Sequence, residues 1–236
     1  MNKKDLKRID VICSEKPLKV KEAFELQRDL SKRVVKKNGF KRIKTIAGAD
    51  LAILTKDKKL VCGIIVFKYP DLEIIEKAWS ITEESFPYIP GLLAFREGPS
   101  IIETYKKLNN KPDIMMIDGQ GLAHPRSFGI ACHIGVLLDI PTIGVGKKKL
   151  CGNYTEPGVE KGSYSFLKSS KDETLGVVLR TKYNIKPVYV SVGHKVGLKT
   201  SMKIALACYR GYRIPEPTRL ADIFVSKIKK EINSNA

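Results

Sequence analysis

The sequence predicts an α/β protein: a mixed central sheet of three antiparallel strands and then parallel strands, flanked by helices, in a single domain over residues 1–236. Three observations predict it. Ile43 to Leu54, Leu60 to Tyr69 and Leu72 to Ile81 are apolar, strand-like runs joined by short polar turns, and short turns impose antiparallel hairpins. From about residue 99 onward helices and buried strands alternate, which implies parallel strands with right-handed crossovers. No repeat, low-complexity tract or linker divides the chain, and its 236 residues lie within reach of one large domain.

Each element has its own signal. Residues 16 to 38 carry Leu18, Phe24, Leu26, Leu30, Val34 and Val35 at mostly helical spacing, ended by Asn38-Gly39, so one amphipathic helix is expected there. Thr55 to Lys59 and Pro70-Asp71 turn the three strands back on one another. A Pro/Gly-rich loop, Phe86 to Gly98, leads to a helix over Pro99 to Leu108, then a buried strand over Asp113 to Ile117. Ser127 is the expected N-cap of a helix reaching Asp139, and Thr142 to Val145 is a short strand. Thr174 to Thr181 and Val188 to Val192 read as further strands, Lys199 to Tyr209 and Arg219 to Ile232 as terminal helices.

Composition excludes several classes. No run reaches the roughly 18 apolar residues of a spanning helix, and no apolar core follows the basic N-terminus, so a cytoplasmic protein with no membrane partner is expected. Five cysteines (Cys13, Cys62, Cys132, Cys151, Cys208) are scattered without a C-x-x-C pair, against both a disulfide framework and a zinc site. Cys62, Cys132 and Cys208 sit in apolar segments and read as small buried hydrophobes. Forty-three Lys and Arg against 25 Asp and Glu give a net charge of +18. That excess either draws in nucleic acid or merely solvates the surface, and charge alone does not separate the two. Gly146-Lys147 fails as a phosphate-binding P-loop, because Pro141 and Lys148 stand where glycine and Ser or Thr belong. Gly119-x-Gly121 fails as a dinucleotide fingerprint, because His124 replaces the third glycine.

Three carboxylates, Asp50, Glu97 and Asp118, each close an apolar run. An acid at the end of a buried strand emerges at the rim of the sheet. Several such acids gathered together repel one another unless a hard divalent cation lies between them. With a strongly basic chain, this points to a metal-dependent enzyme acting on a polyanion. For any one acid alone, a strand-end carboxylate paired with a surface lysine is the bland alternative.

Three antiparallel strands followed by alternating helix and strand resembles the ribonuclease H-like fold, in which acids on the first and fourth strands meet at mid-sheet; Asp50 and Asp118 fall on those strands. Longer motifs narrow the resemblance. Phe86-Pro-Tyr-Ile-Pro-Gly-Leu-Leu-Ala-Phe-Arg-Glu97, Asp118-Gly-Gln-Gly-Leu-Ala-His-Pro-Arg126, Pro141-Thr-Ile-Gly-Val-Gly-Lys147 and Arg213-Ile-Pro-Glu-Pro-Thr-Arg-Leu-Ala-Asp222 all resemble endonuclease V, over about Phe24 to Lys229. The resemblance implies a DNA repair endonuclease that recognises deoxyinosine, the product of adenine deamination. It would use Mg2+, with Mn2+ able to substitute, and cut the second phosphodiester bond 3′ to the lesion, leaving 3′-hydroxyl and 5′-phosphate ends. Inosine-containing RNA as substrate, and a lesion-binding protein without turnover, stay open as alternatives. No obligate protein partner is evident.

Residue roles follow. Asp50 and Asp118 are the expected primary metal ligands, with Glu97 as a third acid. By resemblance Asp222 takes a fourth acid position on a terminal helix beside the sheet, through direct or water-mediated contact. His124 would stand near a second metal or its water, although a loop-shaping role is the ordinary one for a lone His. Lys147 at a strand end can offset charge on the scissile phosphate. Tyr88 and Ile89, in a loop stiffened by Pro87 and Pro90, are the expected wedge into the stack left by an extruded base. Backbone near Gly91, Gly121 and Leu122 would read that base, and Arg96 and Arg126 would contact the strand backbone.

Overall fold

The computed structural model describes residues 18–54 and 58–234. Cys13 and most of the Thr55–Lys59 turn lie outside them. The elements run α1 (Val20–Ser31), β1 (Thr45–Leu54), β2 (Lys59–Lys68), β3 (Ile74–Glu83), α2 (Leu93–Lys107), β4 (Ile114–Asp118), α3 (Ile130–Leu138), β5 (Thr142–Gly146), β6 (Tyr164–Lys168), β7 (Thr174–Leu179), β8 (Val188–His194), α4 (Leu198–Ala207) and α5 (Glu216–Ser234). They build one eight-stranded sheet in the order β3-β2-β1-β4-β5-β8-β7-β6. The first three strands are antiparallel hairpins, as expected. β1, β4 and β5 run parallel. From β5 outward the sheet turns antiparallel again through β8, β7 and β6, so its parallel part is confined to the centre.

Helices cover both faces, and side-chain alternation along β2 separates the two layers. Gly63 faces α5, where an added Cβ would meet Val225 and Phe224. Its neighbour Cys62 faces α2 and bonds Thr104. Residues 114–117 of β4 are fully buried, which is why that strand reads as a continuous apolar run rather than an alternating one. Cys62, Cys132 and Cys208 are buried as expected. The outermost strand β3 leaves Ile75, Trp79 and Ile81 exposed, and Trp79 lies opposite Gly63. No helix among the described residues is long and apolar enough to cross a membrane.

Several boundaries differ from expectation for local reasons. The first helix stops at Ser31 rather than Asn38, and beyond it the backbone N–H of Val35 is taken by His194 Nδ1 at 3.2 Å. Ser127 is no N-cap: it sits at φ 49°, and Gly129 precedes the first turn of α3. α2 begins at Leu93, not Pro99, so Pro99 lies inside the helix and Glu97 sits on it rather than in the loop. α5 begins at Glu216, three residues before the expected Arg219, with Pro217 in its first turn, where a missing N–H costs no helical bond. β6 has no counterpart among the expected strands; Leu167 is its one fully buried side chain, too weak a signal to read.

Candidate active site

Sheet register gathers the site. Gly48 pairs with Met116, and Met116 with Ile143. Two residues further along each strand, on the same face by alternation, come Asp50, Asp118 and Val145, and then Lys147 just past β5. That face carries α5: a Cβ on Gly48 would lie 1.9 Å from the Pro217 carbonyl oxygen. This close approach seats the start of α5 on β1, and Asp222 follows one and a half turns later. Asp50 is not a strand-end residue after all. β1 continues to Leu54 against β2, and Asp50 is freed because pairing with β4 stops at Ala49.

Three of the four expected acids converge on one ammonium. Lys147 Nζ is paired with Asp118 Oδ2, lies 3.0 Å from Asp222 Oδ2 and 3.8 Å from Asp50 Oδ2. Asp50 and Asp118 are largely buried, whereas the Asp222 side chain is half exposed. Burial, then the charge of Asp118, pushes Asp50 up to about 7, and burial likewise raises Asp118. Burial opposes the charge on Lys147, but the hydrogen bond and charge of Asp118, with Asp50 and Asp222, hold its pKa above the usual lysine value. Arg213 fixes the backbone here, its Nη2 donating to the Lys147 and Pro187 carbonyls at 2.6 and 2.8 Å.

Glu97 reaches the rim from the opposite layer, on α2. Burial pushes it up to about 7, Arg96 pulls against that, and Asp118 adds to it. It stands outside the group around Lys147. Among the described residues no three acid, His or Cys side chains are already drawn together as a metal shell. The donor chemistry nevertheless fits a hard cation. The converging groups are all carboxylate oxygens, a cation (Lys147) already stands among them, and Mg2+ needs only one or two protein carboxylates because it keeps several waters.

Beside the acids opens a pocket of about 260 Å3. Its lining includes Tyr88, Gly91, Leu93 and Ala94 from the loop and the start of α2, Gln120, His124, Phe128, Gly129 and Ile130 from the segment between β4 and α3, Gln27 from α1, and Asp118 and Lys147. Tyr88 is 64% exposed at the mouth, with the Arg96 guanidinium 5.8 Å from its ring. Pro90 is exposed as well, but Ile89 packs against the core and its carbonyl accepts from Leu92.

Not every expected residue stands where the sequence suggested. Gly121 and Leu122 lie beneath the pocket against β8: a Cβ on Gly121 would sit 2.0 Å from the Val192 carbonyl oxygen, and Leu122 N–H donates to that same oxygen. Gly91, Gly119 and Gly129 supply pocket backbone instead. Arg96 and Arg126 both make contacts within the protein, Arg96 half-buried and Arg126 exposed. Arg96 Nε lies 3.0 Å from Glu84 Oε1. Arg126 donates through Nη2 to the Gly91 carbonyl at 2.6 Å and through Nε to Gln27 Oε1 at 2.5 Å, and packs over Phe24. His124 is buried in the pocket wall, its Nδ1 accepting from Arg126 N–H at 3.2 Å and its ring bonded to the Gly91 backbone. Burial, helped by the Arg126 charge, lowers it to about 4, so it is neutral at pH 7.

Gln27 was missed from sequence, where it reads as a surface residue of a charged helix. Ala23, Gln27 and Leu30 are the buried residues of α1; a polar residue on that spacing was the available signal.

The chain is similar in sequence and in fold to known proteins. The endonuclease V family pattern matches residues 28–223. Endonuclease V of Dictyoglomus thermophilum is 44% identical over 206 residues, 87% of this chain and 89% of that protein. The fold superposes on endonuclease V from Streptomyces avermitilis with a TM-score of 0.87 at 38% identity, covering 92% of this chain and 96% of that one. For endonuclease V of Ciona intestinalis, solved with a 24mer DNA containing an inosine followed by a ribo-adenosine, the TM-score is 0.79 at 27% identity, covering 90% and 98%.

Proposed function

This chain belongs to the endonuclease V family, and from that membership we propose that it is a Mg2+-dependent DNA repair nuclease that recognises deoxyinosine. It hydrolyses the second phosphodiester bond 3′ to the lesion and leaves 3′-hydroxyl and 5′-phosphate ends. The observation that carries this reading is the convergence of Asp50, Asp118 and Asp222 on Lys147 at the edge of a pocket. The inosine-bearing strand held by the Ciona relative supports the choice of lesion.

Asp50 and Asp118 would hold the metal, with Glu97 as a third acid and Asp222 as a fourth. When bound, Mg2+ supplies Lewis acidity and a water of lowered pKa for phosphodiester hydrolysis. Lys147, freed from the carboxylates, offsets negative charge on the scissile phosphate as a compact cation. Tyr88 fills the gap in the base stack, aided by the stiff Pro87 and Pro90 around it, while the extruded base enters the pocket against Gly91, Phe128 and Gly129. An inosine pair is weaker than a normal one, so extrusion costs less at the lesion than elsewhere. Neutral His124 contributes by keeping the wall beside Gly91 in place next to the reacting strand.

A second substrate has a specific observation behind it: the strand in the Ciona complex carries a ribose directly after the inosine. Inosine-containing RNA is therefore the second reading, with the chemistry unchanged.

The test is incubation with Mg2+ and a labelled duplex bearing one deoxyinosine, beside an undamaged duplex, an inosine RNA and an EDTA control. A metal-dependent nick one nucleotide beyond the lesion on its 3′ side is expected, abolished by Asp50→Ala or Asp118→Ala with lesion binding retained. Cleavage of the RNA alone would select the second reading. Lesion binding without cleavage of either substrate would leave a binding protein and overturn both.

A further inference from the structure

One side chain in the lining of the pocket ties the segments around it together. Gln27 on α1 is 1% exposed, and its amide is fully engaged. Nε2 donates to the Gly91 carbonyl at 3.0 Å and to the Phe128 carbonyl at 3.1 Å, and Oε1 accepts from Arg126 Nε at 2.5 Å. Gly91 belongs to the wedge loop and Phe128 to the segment leading into α3, and both line the pocket, so a single amide ties the two segments together. Arg126 closes the loop by donating to the same Gly91 carbonyl. In the wedge loop Gly91 has φ +80°, and Tyr88 three residues before it is largely exposed.

We propose that Gln27 is the positioning residue that sets the width of the base pocket, holding the Tyr88–Gly91 loop and the Phe128 wall at a fixed separation. Selection of the extruded base then depends on Gln27, while phosphodiester hydrolysis does not. The proposal rests on the deoxyinosine reading of the pocket. Gln27 lies on a helix that supplies none of the carboxylates, so disturbing it leaves the group around Lys147 in place. A pocket of rigid, preset width discriminates between purines because a base lacking the right edge leaves buried polar groups unpaired.

Two variants test it. Gln27→Leu keeps the volume and removes all three hydrogen bonds. Gln27→Glu keeps the acceptor for Arg126 and removes both donors. Binding of labelled duplexes by fluorescence anisotropy in EDTA, with and without deoxyinosine, gives a selectivity ratio; steady-state cleavage gives kcat and KM separately. For Gln27→Leu the ratio should fall about tenfold through weaker lesion binding, a loss of the size expected for buried hydrogen bonds. Affinity for the undamaged duplex should hold, and KM should rise with kcat within about twofold. Gln27→Glu should lose part of the selectivity, and it carries the test alone if the leucine variant does not fold. A selectivity ratio equal to wild type in a folded variant, or a fall in kcat with KM unchanged, overturns the proposal. If the wild-type chain itself binds the lesion duplex no better than the undamaged one, the deoxyinosine reading fails and the positioning role falls with it.

Discussion

At the scale of single residues, the site is a set of carboxylates held in an unfavourable place. Asp50 and Glu97 keep their protons up to about pH 7 in the folded chain, whereas unfolded carboxylates titrate near about 4. Between those values the folded state binds more protons than the unfolded one, so stability falls as pH rises through that window. The metal-free chain should therefore lose Tm between about pH 4 and about pH 7. Asp50→Asn should remove part of that dependence. A Tm that climbs over the same range, followed by circular dichroism in EDTA, would mean that the pairing with Lys147 outweighs burial. These acids were legible in the sequence because each lies at the close of an apolar run or on a motif. The positions of Arg96, Arg126 and His124 were not. Their partners Glu84, Gln27 and Gly91 are chosen by folding, and Gln27 lies 99 residues from Arg126.

At the scale of elements, the close contact of β1 with α5 decides whether the fourth acid arrives. The Gly48 Cα faces backbone, not a flexible side chain, so a methyl group there cannot be absorbed by a rotamer change. Gly48→Ala should destabilise the fold by about 1–3 kcal/mol, the usual cost of overpacking, read from the urea midpoint. Unchanged stability would show that α5 can step away from the sheet. The sequence marked this helix and both sheet halves but placed their ends loosely. A proline is favoured at the first helical position, so Pro99 read as the start of α2, and Glu97 was set in a loop. The structure starts the helix six residues earlier and tolerates Pro99 inside it. β6 escaped notice for the opposite reason. As an edge strand it buries little, so Tyr164-Ser-Phe-Leu-Lys168 shows no apolar face strong enough to announce it.

At the scale of the whole molecule, net charge +18 surrounds an acidic centre. Affinity for DNA should fall steeply with salt, by a slope of about −0.9 in log–log form for each phosphate neutralised. A flat response in a salt titration would make the excess of lysine incidental to binding. The order of the sheet carries one more consequence. Asp50 lies opposite Gly63, and Gly63 opposite Trp79, so the only indole of the chain stands two strands from the carboxylates. Two strand spacings are about 10 Å. The protein thus holds its own lamp beside these carboxylates: light absorbed by Trp79 would have only a short path to a luminescent lanthanide seated among them.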